Sequence, residues 1–115
     1  MPDTSQIEVR REQRDGGLVL TPVGDVDLSR AASLRAHLVS AIEERPPRVV
    51  VDMSGVEYMD SSGVATLIEA MQTARDAEVG FVLCSLKDQV MATLQITRLD
   101  IVFTIVDSPD EALAA

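Results

Sequence analysis

The pattern of apolar and polar positions along the chain predicts a β-hairpin at its start. Residues 7–13 alternate weakly between apolar and charged side chains, and residues 18–23 form a second, more apolar stretch. The turn sequence Asp15-Gly16-Gly17 separates the two stretches, which is typical of two antiparallel strands joined by a tight turn. Pro22 has no backbone N–H, so we expect it near a strand end or on an edge.

The rest of the chain alternates between helical and strand-like patterns. After the hairpin, we predict helices from residue 28 to Pro46, from 60 to Gly80, over 87–97 and over 110–114, and strands over 48–52, 81–85 and 101–105. The first helix shows the three-to-four spacing of one apolar face. That face is predicted to comprise Leu28, Ala31, Ala32, Leu34, Leu38, Val39 and Ile42.

The predicted order of elements is β-β-α-β-α-β-α-β-α. Strands that alternate with helices indicate an α/β fold with a mixed, mostly parallel β-sheet and helices packed against it. The 115 residues suit a single domain spanning 1–115, within which the polar residues 1–6 are predicted to be a flexible tail.

Charge and composition narrow the classes of partner. The net charge is −9, which disfavours binding to nucleic acid or to an anionic membrane and favours a partner with a basic surface. Only three aromatic residues are present, too few for base-stacking platforms. The single cysteine, Cys84, cannot form an internal disulfide, and the first residues do not resemble a signal peptide. We therefore predict a cytoplasmic protein.

The stretch 49–70 carries the most informative pattern. A predicted buried strand ends at Asp52, and the sequence Asp60-Ser61-Ser62-Gly63 opens a helix. On one interpretation, Asp60 and Ser61 are ordinary helix-capping residues. On the other, this strand-to-helix junction is a binding site, because partners of α/β domains bind at such junctions and helix N-termini accept phosphate.

The residues at these junctions resemble those of a known family. Gly24-Asp25-Val26-Asp27, Asp52 and the run from Tyr58 to Gly63 resemble the STAS domains of bacterial anti-sigma factor antagonists, over about residues 7 to 112. The resemblance implies that Ser61 is the phosphorylated residue. It also implies a partner-binding surface that comprises Asp27, Met59, Asp60, Ser61, Ser62 and Gly63.

The resemblance further implies a partner-switching mechanism. The unphosphorylated protein would bind an anti-sigma factor that is also an ATP-dependent serine kinase, and so free a sigma factor. Phosphorylation of Ser61 would prevent that binding, and a PP2C-type phosphatase would reverse it. Val64 stands where many relatives carry leucine, which leaves the identity of the partner open.

Two other classes of function were weighed. Catalysis is disfavoured, because Ser61 lacks a Gly-x-Ser-x-Gly elbow and the sole histidine, His37, has no obvious orienting partner. We predict no enzymatic activity, no cofactor and no metal site. The alternative function is a scaffold or accessory STAS module of a sensory complex or a lipid-transport system, since one fold hosts several roles. Charges on the first strand favour a monomer in the free state.

Overall fold

The computed structural model describes residues 5–115, and the fold begins with the predicted antiparallel hairpin. Strand β1 (Glu8–Arg14) pairs along its whole length with β2 (Gly17–Val23). Gly16 lies in the connecting turn with a φ of 95°, a backbone conformation that glycine adopts without steric cost. Strand β1 is an edge strand whose side chains are mostly exposed, and its charges discourage pairing with another sheet.

Three parallel strands complete the sheet. Strands β3 (Arg48–Asp52), β4 (Gly80–Cys84) and β5 (Thr104–Val106) give the order β1-β2-β3-β4-β5, so the predicted mixed, mostly parallel sheet is confirmed. The three consecutive valines of β3 are fully buried, because helices cover both faces of this central strand. Pro22 lies beyond the part of β2 that pairs with β3, near the strand end as expected.

Four helices cover the two faces of the sheet. Helices α1 (Leu28–Glu43), α2 (Ser61–Asp76) and α3 (Asp88–Ile96) pack on one face, where the main core lies. The short α4 (Pro109–Ala114) packs on the other face, where Ala112 contacts alternate residues of the strands. Ser108 caps α4, with Pro109 at the first helical position. The result is one α/β domain with the predicted order of elements.

Helices α1 and α2 run side by side in the same direction. The Thr66 hydroxyl donates to the Ala31 carbonyl at 3.5 Å, and Arg35 forms an ion pair with Glu69 at 2.8 Å. Because both helices begin where parallel strands end, their N-termini lie at the same edge of the sheet.

The last strand is shorter than predicted. The sequence predicted a strand over residues 101–105, but only Thr104–Val106 pairs with β4. Ile101 and Val102 lie in a turn and are exposed, and the Val102 N–H donates to the Leu99 carbonyl. Local turn hydrogen bonding therefore overrode the strand propensity of this apolar run.

Two details of the helix predictions were wrong. Helix α2 ends at Asp76, not at Gly80, because Glu78 adopts a left-handed conformation with a φ of 59° and so terminates the helix. Leu28 is 79% exposed although its spacing placed it on the buried face of α1. As the first residue of that helix, Leu28 projects beyond the edge of the sheet.

The predicted N-terminal tail lies mostly outside the described part of the chain, which begins at Ser5. From Gln6 onward the segment contacts α1, since the Ser33 hydroxyl donates to the Gln6 side chain and accepts from the Ile7 N–H. Within residues 5–115, no helix is both long and apolar enough to cross a membrane.

Candidate functional site

The candidate site forms where the connections after β2 and β3 meet. Val26 and Met59 form an isolated parallel bridge, in which the Val26 N–H donates to the Tyr58 carbonyl at 2.9 Å and the Asp60 N–H donates to the Val26 carbonyl at 3.1 Å. This bridge fixes the starts of α1 and α2 next to each other at the carboxyl edge of the sheet.

Asp27 caps α1, and hydrogen bonds stabilise the ionised form of its carboxylate. Its Oδ1 accepts from the Ser29 N–H at 3.0 Å and from the Ser29 hydroxyl at 2.6 Å. The hydroxyl bond is the main cause that lowers the pKa of Asp27, with smaller contributions from backbone amides and the nearby Arg30 charge, opposed by partial desolvation. Asp27 is therefore ionised at neutral pH.

Asp60 caps α2 in a similar way. Its Oδ1 accepts from the Ser62 N–H at 2.9 Å and from the Gly63 N–H at 3.4 Å. The capping interpretation of Asp60 is thus correct. These two amides are already bonded to a carboxylate, so they are not open to a phosphate, contrary to the free amides expected at this helix start.

Ser61 is the first residue of α2 and its side chain is exposed. Across residues 5–115, no hydrogen bond involves the Ser61 hydroxyl, whereas the adjacent Ser62 is partly buried. The Ser61 hydroxyl is thus exposed and unbonded within the described residues. A hydroxyl with no competing partner can enter the active site of another protein.

Gly63 and Met59 are buried beneath the exposed first turn of α2. Met59 is 0% exposed, and a Cβ on Gly63 would come within 2.5 Å of the Met59 Cγ and 2.9 Å of the Val26 Cγ1. Glycine therefore allows the first turn of α2 to rest on the bridge. Both residues were expected to contact a partner, but the burial of Met59 and Gly63 makes them the support of the surface instead.

Two exposed apolar side chains that were absent from the predicted site flank it. Leu28 follows Asp27 and is 79% exposed, and Tyr58 precedes Met59 and is 45% exposed. The periodicity of α1 wrongly assigned Leu28 to the core. Tyr58 could have been predicted as a site residue, since it is an aromatic residue in a loop directly before the serine cluster.

Gln89 of α3 is a third residue that the sequence did not reveal. Its side-chain Oε1 accepts from the Met59 N–H at 3.0 Å, and its Nε2 donates to the Met59 carbonyl at 3.3 Å. No pattern in the sequence marks such a contact, because it joins a helix to a loop 30 residues earlier.

The described residues do not assemble a metal centre, and His37 lies far from Ser61 along α1. Within residues 5–115, no cluster of three potential metal ligands exists among the His, Cys, Asp and Glu side chains. His37 lies ten residues after Asp27, about 15 Å along α1 from the site. Burial raises the pKa of the Cys84 thiol to about 11, so the thiol stays protonated.

The structure is a small α/β domain in which two aspartate-capped helices start side by side, and the second of them exposes a serine at its first position. Comparison with known families identifies which domain this is: the model of the STAS domain matches residues 7–112. The chain belongs to the STAS domain family, as its sequence predicted.

Relatives and solved structures agree with this assignment. BtrV of Bordetella bronchiseptica, named as a candidate anti-sigma factor antagonist, is 27% identical over 95% of this chain and 94% of its own. The crystal structure of an anti-sigma factor antagonist from Mycobacterium paratuberculosis is 25% identical, with a TM-score of 0.86 over 99% of this chain and 97% of that chain. The structure of SLC26A9 shares the fold alone: its TM-score is 0.74 at 16% identity, over 86% of this chain but 19% of that chain.

Proposed function

We propose that this protein is an anti-sigma factor antagonist that works by partner switching. In its unphosphorylated state it binds an anti-sigma factor that is also an ATP-dependent serine kinase, and thereby releases a sigma factor. Phosphorylation of Ser61 ends this binding, and a PP2C-type phosphatase restores it. The observation that carries the proposal is the exposed, unbonded hydroxyl of Ser61 at the paired helix starts of a STAS domain.

The surface around Ser61 has the composition of a protein interface. We call it the switch surface and define it as Asp27, Leu28, Tyr58, Asp60, Ser61 and Ser62. Its exposed Tyr58 suits insertion into a pocket of a partner, since aromatic side chains supply much of the binding energy of interfaces, and Leu28 adds apolar area beside it. Its carboxylates favour a partner whose facing surface is basic.

A phosphate on Ser61 would change the charge of the switch surface rather than the fold. Phosphorylation adds a charge of about −1.5 to −2. The nearest carboxylate, Asp60, already uses the Ser62 and Gly63 amides, so the phosphate charge stays next to a like charge. A partner that binds over Ser61 would then have to bury both charges, which is strongly unfavourable.

The test is phosphorylation and binding with the anti-sigma kinase encoded nearest to this protein. After incubation with ATP, tandem mass spectrometry should find one phosphate on Ser61, and a PP2C phosphatase should remove it. Ser62→Ala is the matched control and should still be phosphorylated, whereas Ser61→Ala should not. By calorimetry, Ser61→Ala should bind the kinase as wild type does, and Ser61→Asp should show at least a hundredfold weaker affinity, on the order of the cost of truncating a buried interface contact.

Two results would contradict the proposal. Equal binding of Ser61→Ala and Ser61→Asp would place Ser61 outside the interface. No phosphate on Ser61 and no binding to any anti-sigma kinase would favour the scaffold or accessory module, the alternative consistent with the occurrence of this fold within the longer SLC26A9 chain.

A further inference from the structure

Gln89 makes a two-point contact with the backbone beside the phosphorylation site. Its side-chain amide accepts from the Met59 N–H at 3.0 Å and donates to the Met59 carbonyl at 3.3 Å. A primary amide carries the same donor and acceptor as a peptide group. Gln89 therefore bonds to Met59 as a neighbouring strand would.

Met59 needs such a partner because of how the bridge is formed. The bonds to Val26 use the carbonyl of Tyr58 and the N–H of Asp60, which point to one side of the segment. In extended backbone, the groups of the intervening residue point to the other side. On that side, the Gln89 amide satisfies both backbone groups of Met59.

Thr93 fixes the orientation of the Gln89 amide. Its hydroxyl donates to the Gln89 backbone carbonyl at 3.0 Å and accepts from the Gln89 Nε2 at 3.2 Å. A threonine hydroxyl has one proton, so once it donates to the carbonyl it can only accept from the side chain. The amide nitrogen is thus directed toward Thr93 and the Met59 carbonyl, and the amide oxygen toward the Met59 N–H.

We propose that Gln89 is a positioning residue for phosphorylation and partner binding at Ser61. By holding Met59, it fixes the Asp60 cap that follows and hence the first turn of α2, so that the switch surface is ordered before a partner arrives. Pre-ordering raises affinity because less conformational entropy is lost on binding. This role rests on the function proposed above, but the Gln89–Met59 contact itself does not.

Two variants separate the hydrogen bonds from side-chain size and from helix stability. Gln89→Leu keeps the approximate volume and loses both bonds. Gln89→Glu keeps the length and the acceptor but cannot donate to the Met59 carbonyl. A glutamate at the second position of α3 also favours that helix through its dipole, so any loss in Gln89→Glu cannot come from a weakened helix. Gln95→Leu, an exposed substitution on the same helix, is the matched control.

The first measurement is amide exchange by NMR at neutral pH, with no partner present. Gln89→Leu, which loses both hydrogen bonds, should exchange the Met59 amide about tenfold faster, whereas Gln89→Glu, which keeps the acceptor for the Met59 N–H, should show a smaller increase. The amide of Val50 in β3 should be unchanged, as should all amides near the bridge in Gln95→Leu. Unchanged exchange at Met59 in Gln89→Leu would overturn the proposal.

The second measurement is the affinity for the kinase and the rate of Ser61 phosphorylation. Gln89→Leu should bind about tenfold more weakly and Gln89→Glu less so, and both should show a higher KM with kcat retained, because the loop is ordered once bound. Faster exchange with unchanged affinity would overturn the positioning role while leaving the proposed function intact. If wild type neither binds nor is phosphorylated, the proposed function and the positioning role both fail, and a faster Met59 exchange would then describe a structural contact only.

Discussion

The starts of α1 and α2 lie side by side and are built alike, yet they leave different groups exposed. Each follows one residue of the Val26–Met59 bridge, and each is capped by an aspartate. At α1, the Ser29 hydroxyl is bonded to the capping carboxylate, so the serine is used within the cap. At α2, the carboxylate binds two amides instead and the Ser61 hydroxyl is left without a partner in the described chain.

The two serines occupy different positions, since Ser29 is the second residue of α1 and Ser61 is the first residue of α2, where α1 carries the exposed Leu28. The first turns also differ at their third residue. The third residue of α2 is Gly63, which lets the helix approach the bridge closely, while the third residue of α1 is Arg30. The Gly63 N–H also donates to the Asp60 carboxylate, as is usual for an N-cap. Two helix starts with the same capping residue therefore expose different groups at their first position, a leucine side chain on α1 and a hydroxyl on α2.

Among the variants that test this comparison, Gly63→Ala should cause the largest loss of stability. The new methyl group would lie 2.5 Å from the Met59 Cγ and 2.9 Å from the Val26 Cγ1, both in fully buried side chains. We expect the free energy of unfolding in urea to fall by about 1–3 kcal/mol, the usual cost of overpacking. Because Gly→Ala in an open helix stabilises by about 1 kcal/mol, an increase in stability would show that α2 does not rest on the bridge.

A smaller effect is expected when each cap is removed in turn. Asp27→Ala and Asp60→Ala should each lower the free energy of unfolding by about 1 kcal/mol, as for other N-caps. Asn substitutions at the same positions are the controls and should restore most of the loss, because asparagine also caps helices. Chemical denaturation of the four variants tests this. Similar losses in the Ala and Asn variants would mean that charge, not capping, is what these aspartates contribute.

The smallest expected effect is a change in the pKa of Asp27. Ser29→Ala removes the bond that lowers the pKa of Asp27, so this pKa should rise toward its ordinary value in an NMR titration of the carboxyl. A lowered folded-state pKa contributes stability above the unfolded pKa of about 4, and this stability is lost as pH falls through the folded-state value. Wild type should therefore lose more stability below about pH 4 than Ser29→Ala does. Ser61→Ala, the matched control, should leave the pKa of Asp27 unchanged.

The sequence predicted those features that local patterns encode. Two strand-like stretches around a glycine turn predicted the hairpin, the valine run of β3 indicated a buried strand, and Asp60 marked the start of α2. Each of these features depends on residues a few positions apart, so a window of the chain contains the needed information.

The residues that were predicted wrongly or missed are those whose burial or contacts depend on distant parts of the chain. Leu28 fits the apolar period of α1 but lies past the sheet edge, where nothing covers it. Met59 was included in the partner-binding surface through the family resemblance, but it is buried and packs under Gly63. Gln89 could not be linked to Met59 at all, since their contact exists only after α3 has packed on the sheet.

The two amides that Asp60 occupies have a consequence for how the phosphorylated state would end. Because the Ser62 and Gly63 amides bond to Asp60, a phosphoryl group on the exposed Ser61 would lie in water at the start of α2. On the proposal above, it would be as accessible to a phosphatase as the free serine is to a kinase. Reversal would then require no prior opening of the domain, so the lifetime of the signal would depend on the concentrations of two enzymes and not on the stability of the fold.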